Sequence, residues 1–216
     1  MKPRLVIFDL DGTLLDTLDD LGAAVNHAMQ QRGFPQHTWE EYRMMVGHGA
    51  RNLMTQAVPT DHRNNEALID SVLADFRNYY NTHIDVYTKP FPGIPELLAE
   101  LHRNGIKLAV ASNKFQEGTE HLIKEFFPDI PFVAILGNRP GYPLKPDPEV
   151  VGEVLRKTGL TQADAAMVGD SDTDMETAAN SGIQGIAVSW GYRNMKDVPG
   201  LTVVESTDDL LKTLLS

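Results

Sequence analysis

Acidic side chains gather at two distant points of this 216-residue chain, and their spacing suggests a shared task. Asp9 and Asp11 flank a single leucine in Asp9-Leu10-Asp11-Gly12-Thr13, so on an extended backbone both carboxylates point the same way. Far along the chain, Gly169-Asp170-Ser171-Asp172-Thr173-Asp174 alternates three more. Acids at a strand-to-helix junction also favour the helix dipole, but one aspartate suffices for that. Five carboxylates converging in a partly buried site repel one another strongly. A hard dication with oxygen ligands removes the conflict, and magnesium (Mg2+) takes few protein carboxylates alongside water and phosphate oxygens. Between the acidic stretches stand Ser112-Asn113-Lys114 and Lys145-Pro146-Asp147-Pro148, which alone read as a polar helix start and as a cap with a surface charge.

These groups need elements to bring them together. Residues 4–9 form a short apolar run with Val and Ile, the pattern of a buried strand. Helical spacing follows through Leu18, Leu21, Val25, Ala28 and Met29, with Asp16 or Thr17 as cap. Further helices are expected near 40–46, after Gly49, and over a stripe from Leu68 to Tyr80, with no strand between about 16 and 83. Two prolines and a glycine mark 87–93 as a linker. Beyond it, helix, glycine and apolar strand repeat, giving strands at 107–111, 132–135, 165–168 and 186–188, and a helix opening at Asp147-Pro148. That rhythm predicts an α/β, Rossmann-like parallel sheet core over 1–15 and 88–216, with a small all-helical cap domain over 16–87. Such sheets place chemistry at the carboxyl ends of their strands, here just after residues 8, 111, 136, 168 and 188. Carboxylates, hydroxyl, lysine and carboxylates then fall on successive strand ends.

Composition narrows the classes. Thirty acidic against 19 basic residues give a net charge of −11, which disfavours nucleic acid and anionic membranes as partners. With no cysteine, disulfides, thiolate catalysis and Cys-ligated zinc are excluded. No apolar run approaches the ~20 residues of a membrane span, and the opening one is too short for a signal sequence, so a cytoplasmic location is expected. The seven histidines show no helical zinc pairing, and Gly-x-Gly at 47–49 lacks the preceding strand of a dinucleotide site.

The whole pattern resembles the haloacid dehalogenase-like hydrolases. Asp9-Leu-Asp-Gly-Thr-Leu-Leu-Asp-Thr17, Ala111-Ser-Asn-Lys114, Lys145 in Lys-Pro-Asp-Pro, and Gly169-Asp-Ser-Asp-Thr-Asp-Met-Glu-Thr-Ala178 look like that superfamily's four motifs in order. The segment Val46-Gly-His-Gly-Ala50 and the Lys-Pro-Asp-Pro stretch are similar to phosphoglycolate phosphatase-like members. The resemblance implies that Asp9 attacks phosphorus to form an aspartyl phosphate, while Asp11 protonates the leaving alcohol and later activates water. It implies magnesium held by Asp9, the Asp11 carbonyl and Asp170, with Asp174 ordering the shell. Ser112 and Lys145 would grip the phosphoryl oxygens with help from Asn113, and His48 and Arg51 are candidate contacts to a substrate carboxylate. An acid two residues after the nucleophile favours phosphoryl transfer over dehalogenation, because a halide leaves without a proton. Magnesium and Lys145 would then answer the −11 net charge. The expected partner is a small phosphorylated metabolite, 2-phosphoglycolate first, for a monomer or homodimer. The motifs leave open a phosphomutase, a pyrophosphatase or nucleotidase, and a non-catalytic binding protein. Gly137-Asn138-Arg139 departs from the family's usual loop, Lys114 is a steering group or an exposed one, and Trp190 and Tyr192 either line the substrate mouth or serve packing.

Overall fold

The computed structural model describes residues 2–196 and 198–216. It opens with β1 (Leu5–Phe8) and β2 (Leu15–Asp16). Four helices follow: α1 (Leu18–Gln31), α2 (Trp39–Met45), α3 (Ala50–Ala57) and α4 (Glu66–Tyr80). After β3 (Lys89–Pro90) the chain alternates: α5 (Ile94–Arg103), β4 (Lys107–Phe115), α6 (Gln116–Phe126), β5 (Phe132–Asn138), α7 (Glu149–Thr158), β6 (Ala165–Gly169) and α8 (Asp172–Asn180). It ends with β7 (Gln184–Val188), β8 (Thr202–Val204) and α9 (Thr207–Leu215).

Six strands form one parallel sheet in the order β5-β4-β1-β6-β7-β8. All four residues of β1 and all five of β6 are buried, because helices cover both faces and leave no solvent side to demand alternation. The chain turns one way from β1 into β4 and β5 and the other way into β6, β7 and β8. Beyond the carboxyl end of β1 the order reverses, which opens a crevice at Asp9.

The helices α1 to α4 pack on one another, α1 lying along α4. Val25, Ala28 and Met29 meet Ile69, Val72 and Phe76 in a cluster that continues onto the sheet. Each fully buried side chain of this kind contributes roughly 1.5–3 kcal/mol.

Several elements differ from the sequence expectation. β4 runs through Phe115 with a register irregularity after Ala111, so Ser112, Asn113 and Lys114 sit within the strand's end. A sixth strand, β8, and the helix α9 complete the sheet's far edge; β8 has three residues, and among the described residues no helix precedes it after β7. Helix α7 starts at Glu149 rather than at Pro148, and the Asp147 carboxylate accepts its first N–H at 2.9 Å. The linkers are not free: β2 and β3 pair antiparallel, Leu15 with Pro90 and Asp16 with Lys89. Nearby, the buried Asp20 carboxylate accepts the N–H groups of Tyr87 and Thr88 and the Thr88 hydroxyl.

Candidate active site

Asp9 follows β1 directly, its N–H donating to the Val168 carbonyl of β6 at 2.9 Å. The same pairing brings Asp170, one residue past β6, alongside. Oxygens of Asp9, Asp170 and Asp174 all lie within 4.8 Å of one another, and all three residues are buried. Lys145 answers part of this charge: its Nζ donates to Asp9 Oδ1 at 2.8 Å and to Asp174 Oδ1 at 2.6 Å. The other Asp174 oxygen accepts the Ser171 N–H and hydroxyl, closing a capping box that starts α8. Among the described residues Asp170 has only neutral donors, the Thr13 hydroxyl at 3.3 Å and the Tyr192 N–H at 2.6 Å.

The electrostatics follow from this arrangement. Burial first, then the neighbouring Asp174 charge, push the Asp9 carboxyl up to about 8 despite Lys145. Burial and Asp174 likewise push Asp170 up to about 7. Burial on its own would lower the Lys145 ammonium, but Asp174 and Asp9 reverse this and hold it above its ordinary range. Three hard oxygen donors with one ammonium between them form a set that a small divalent cation fits. Close backbone contact frames it. A Cβ on Gly12, whose φ is +89°, would stand 2.5 Å from Asp170 Oδ2, and one on Gly191 would stand 2.3 Å from Asp170 Cβ.

Asp11 lies on the same side and is held separately. Lys114 Nζ donates to its two oxygens at 2.9 and 3.3 Å, and the Thr17 hydroxyl donates at 2.7 Å. The Lys114 ammonium also donates to the Tyr80 phenol at 2.7 Å. Lys114 is therefore buried and engaged rather than exposed. Tyr192 accepts the Thr17 N–H on its phenol oxygen at 2.7 Å, and Trp190 donates its indole N–H to the Thr13 carbonyl at 3.1 Å. Both aromatics brace the loop that carries the two leading aspartates.

A cavity of about 50 Å³ opens over these groups. Asp9, Asp11, Ser112 and Lys114 line its sheet side, while Leu21, Val46, Leu53, Phe76 and Tyr80 come from the helices. Asn113 spends its side-chain amide on position: Nδ2 donates to the Lys145 carbonyl (3.1 Å) and the Gly47 carbonyl (2.9 Å), and Oδ1 accepts the Lys145 N–H (2.8 Å). His48 reaches Thr173 Oγ1 with its ring nitrogen at 3.3 Å, at the seam between helices and sheet. Arg51 is not brought to the cavity; its guanidinium pairs with Glu66 and Asp70 on an exposed face. The stripe from Leu68 to Tyr80 was expected only as a helix, yet its Phe76 and Tyr80 also wall the cavity. A phenol inside an apolar stripe was the available signal.

Comparison with known proteins agrees with this geometry. Residues 6–188 match the family described as haloacid dehalogenase-like hydrolase. A phosphoglycolate phosphatase of Mesorhizobium japonicum is 33% identical over 213 residues, covering 97% of this chain and 94% of that protein. One from Aquifex aeolicus is 30% identical, covering 95% and 94%. A solved structure from Lactobacillus delbrueckii subsp. bulgaricus, provisionally named a phosphoglycolate phosphatase, superposes with a TM-score of 0.93 at 33% identity over the full length of both chains. Among the described residues no helix is long and apolar enough to cross a membrane. With its four motifs gathered at the carboxyl ends of one parallel sheet, the chain belongs to the haloacid dehalogenase-like hydrolases.

Proposed function

We propose that this hydrolase cleaves small phosphate monoesters through a phosphorylated Asp9, with magnesium as cofactor. One observation carries the reading: a buried Asp9 carboxylate with one oxygen fixed by Lys145, Asp170 and Asp174 beside it, and Asp11 within the same cavity. Asp9 Oδ1 is held at 2.8 Å by an ammonium, which orients the carboxylate for attack. The same ammonium stands where charge builds up on the transferring group. Asp11, kept in place by Lys114 and Thr17, gives its proton to the leaving alcohol and afterwards takes one from water. Ser112, lining the cavity, supplies a hydroxyl to the phosphoryl oxygens. Asn113 serves by fixing the Lys145 backbone. Asp9, the Asp11 carbonyl and Asp170 would hold magnesium, with Asp174 ordering Lys145 and Ser171 around them. When bound, the ion supplies charge neutralisation for the phosphoryl group and its attacking carboxylate.

The helical unit over 16–87 we read as a cap that excludes water above Asp9. The names of the relatives place 2-phosphoglycolate among the substrates to be tried. A phosphate-release assay on p-nitrophenyl phosphate and a metabolite panel, with and without magnesium, tests the proposal. Turnover should need the metal and no bisphosphate activator, and Asp9→Asn should abolish it. Undiminished activity in Asp9→Asn would overturn the covalent path.

A further inference from the structure

The structure assigns a positioning role to two arginines outside the four motifs, Arg43 of the helical unit and Arg193 beyond β7. Through the loop 190–193 they tie the docking of the helices onto the sheet to the orientation of Asp170, and so to magnesium affinity. The inference rests on the proposal above that Asp170 holds the metal.

The two side chains cross the seam in opposite directions. Arg193 Nη2 donates to the Met44 and Val46 carbonyls at 2.7 and 3.0 Å. Carbonyls at the end of α2 have no partner within the helix, and a cation there also meets the negative end of its dipole. Arg43, in the last turn of α2, donates back to the Gly191 carbonyl at 3.3 Å. The chain carries 30 acidic residues, yet among the described residues neither arginine forms an ion pair; each is committed to the backbone of the other unit.

The peptide that Arg43 grips leads directly to the site. The Gly191 carbonyl and the Tyr192 N–H belong to one planar group and point away from each other. Arg43 holds the carbonyl, while the N–H donates to Asp170 Oδ2 at 2.6 Å. A guanidinium on the carbonyl fixes the tilt of that plane and, by polarising the amide, strengthens its N–H as a donor. Hydrogen-bond partners of a ligating carboxylate set its aim at the metal. Trp190 and Tyr192 pin the rest of the loop to Thr13 and Thr17, so the peptide is held from both sides. The coupling is reciprocal: docked helices favour the metal, and the bound metal favours docked helices.

The test is titration calorimetry of magnesium into the full chain at pH 8, with wild type, Arg43→Ala, Arg43→Lys, Arg193→Ala and Asp170→Asn. Hydrogen exchange across residues 39–46 is measured with and without magnesium. Both alanine variants should bind magnesium between about two- and tenfold more weakly, the worth of one partly exposed hydrogen bond, at an unchanged melting temperature of the metal-free protein. Arg43→Lys, which keeps a cationic donor, should recover most of the loss. Magnesium should slow exchange across α2 in wild type and not in Arg43→Ala. Unchanged magnesium affinity in both alanine variants would overturn the inference, as would α2 exchange indifferent to magnesium in wild type. A weaker Arg43→Ala that also melts lower and is not rescued by lysine would reduce the role to a structural one and overturn it as well. If wild type binds no magnesium, or Asp170→Asn binds it equally tightly, the metal reading falls and the inference falls with it.

Discussion

Raising the pH from 6 to 8 should tighten magnesium binding far more than ordinary carboxylates would allow. Asp9 and Asp170 are pushed to about 8 and about 7 by burial and by Asp174, so at pH 6 both hold protons that a divalent ion must displace. Each displaced proton is worth a tenfold change in affinity per pH unit below its pKa. Across pH 6 to 8 the two together give a gain between about one hundred- and one thousandfold. Stability of the metal-free protein should move the opposite way. Both folded-state values lie above the unfolded 3.8, so the contribution is complete below about pH 4 and is lost as pH rises through 7 and 8. For Asp170 alone the rise from 3.8 to about 7 corresponds to something on the order of 4 kcal/mol. Titration calorimetry with magnesium at pH 6, 7 and 8, in two buffers of different ionisation enthalpy, reads both affinity and protons released. The expected release falls from nearly two protons to well under one. Affinity constant within threefold over this range, with no proton release, would refute the reasoning.

Asp11→Asn should lower kcat/KM for alkyl phosphates by about 10²- to 10³-fold but cost p-nitrophenyl phosphate much less, since nitrophenolate leaves without a proton; the two substrates side by side decide it. Gly191→Ala sets a Cβ 2.3 Å from Asp170 Cβ and 2.4 Å from the Gly12 carbonyl, so magnesium affinity should fall at least tenfold and melting temperature should drop. Arg193→Ala removes donors to the Met44 and Val46 carbonyls at the end of α2, at 2.7 and 3.0 Å. Those contacts are partly exposed and worth about 1 kcal/mol, so faster hydrogen exchange across α2 with little change in melting temperature is expected.

The parallel core was legible because both-sided burial writes itself as uninterrupted apolar runs, as in Leu5–Phe8, and because glycines close the intervening helices. Asp9, Asp170 and Asp174 were legible as a cluster because the strand-end rule converts sequence position into spatial neighbourhood. Elements that depend on pairing rather than pattern escaped. β2 and β3 have two residues each, too few for any period, and exist only because they meet. Asn113 reads as a polar residue near a strand end; that its amide grips the Lys145 backbone is a tertiary fact with no local trace. The roles of Tyr80 and Tyr192 turn on where a phenol lands, which the spacing of neighbouring apolar residues does not encode.

The pairing of β2 with β3 bears on how substrate is admitted. Two separate tethers would let the helical unit twist and slide in any direction over the sheet. Zipped together, with the Phe91 N–H also donating to the Leu14 carbonyl at 3.1 Å, they become one flat strap. A strap bends across its thin dimension and resists shear within its plane. We infer that any movement of the unit it carries would be a swing about one axis, which would return Gly47 to its place above Asn113, where the Asn113 amide donates to its carbonyl.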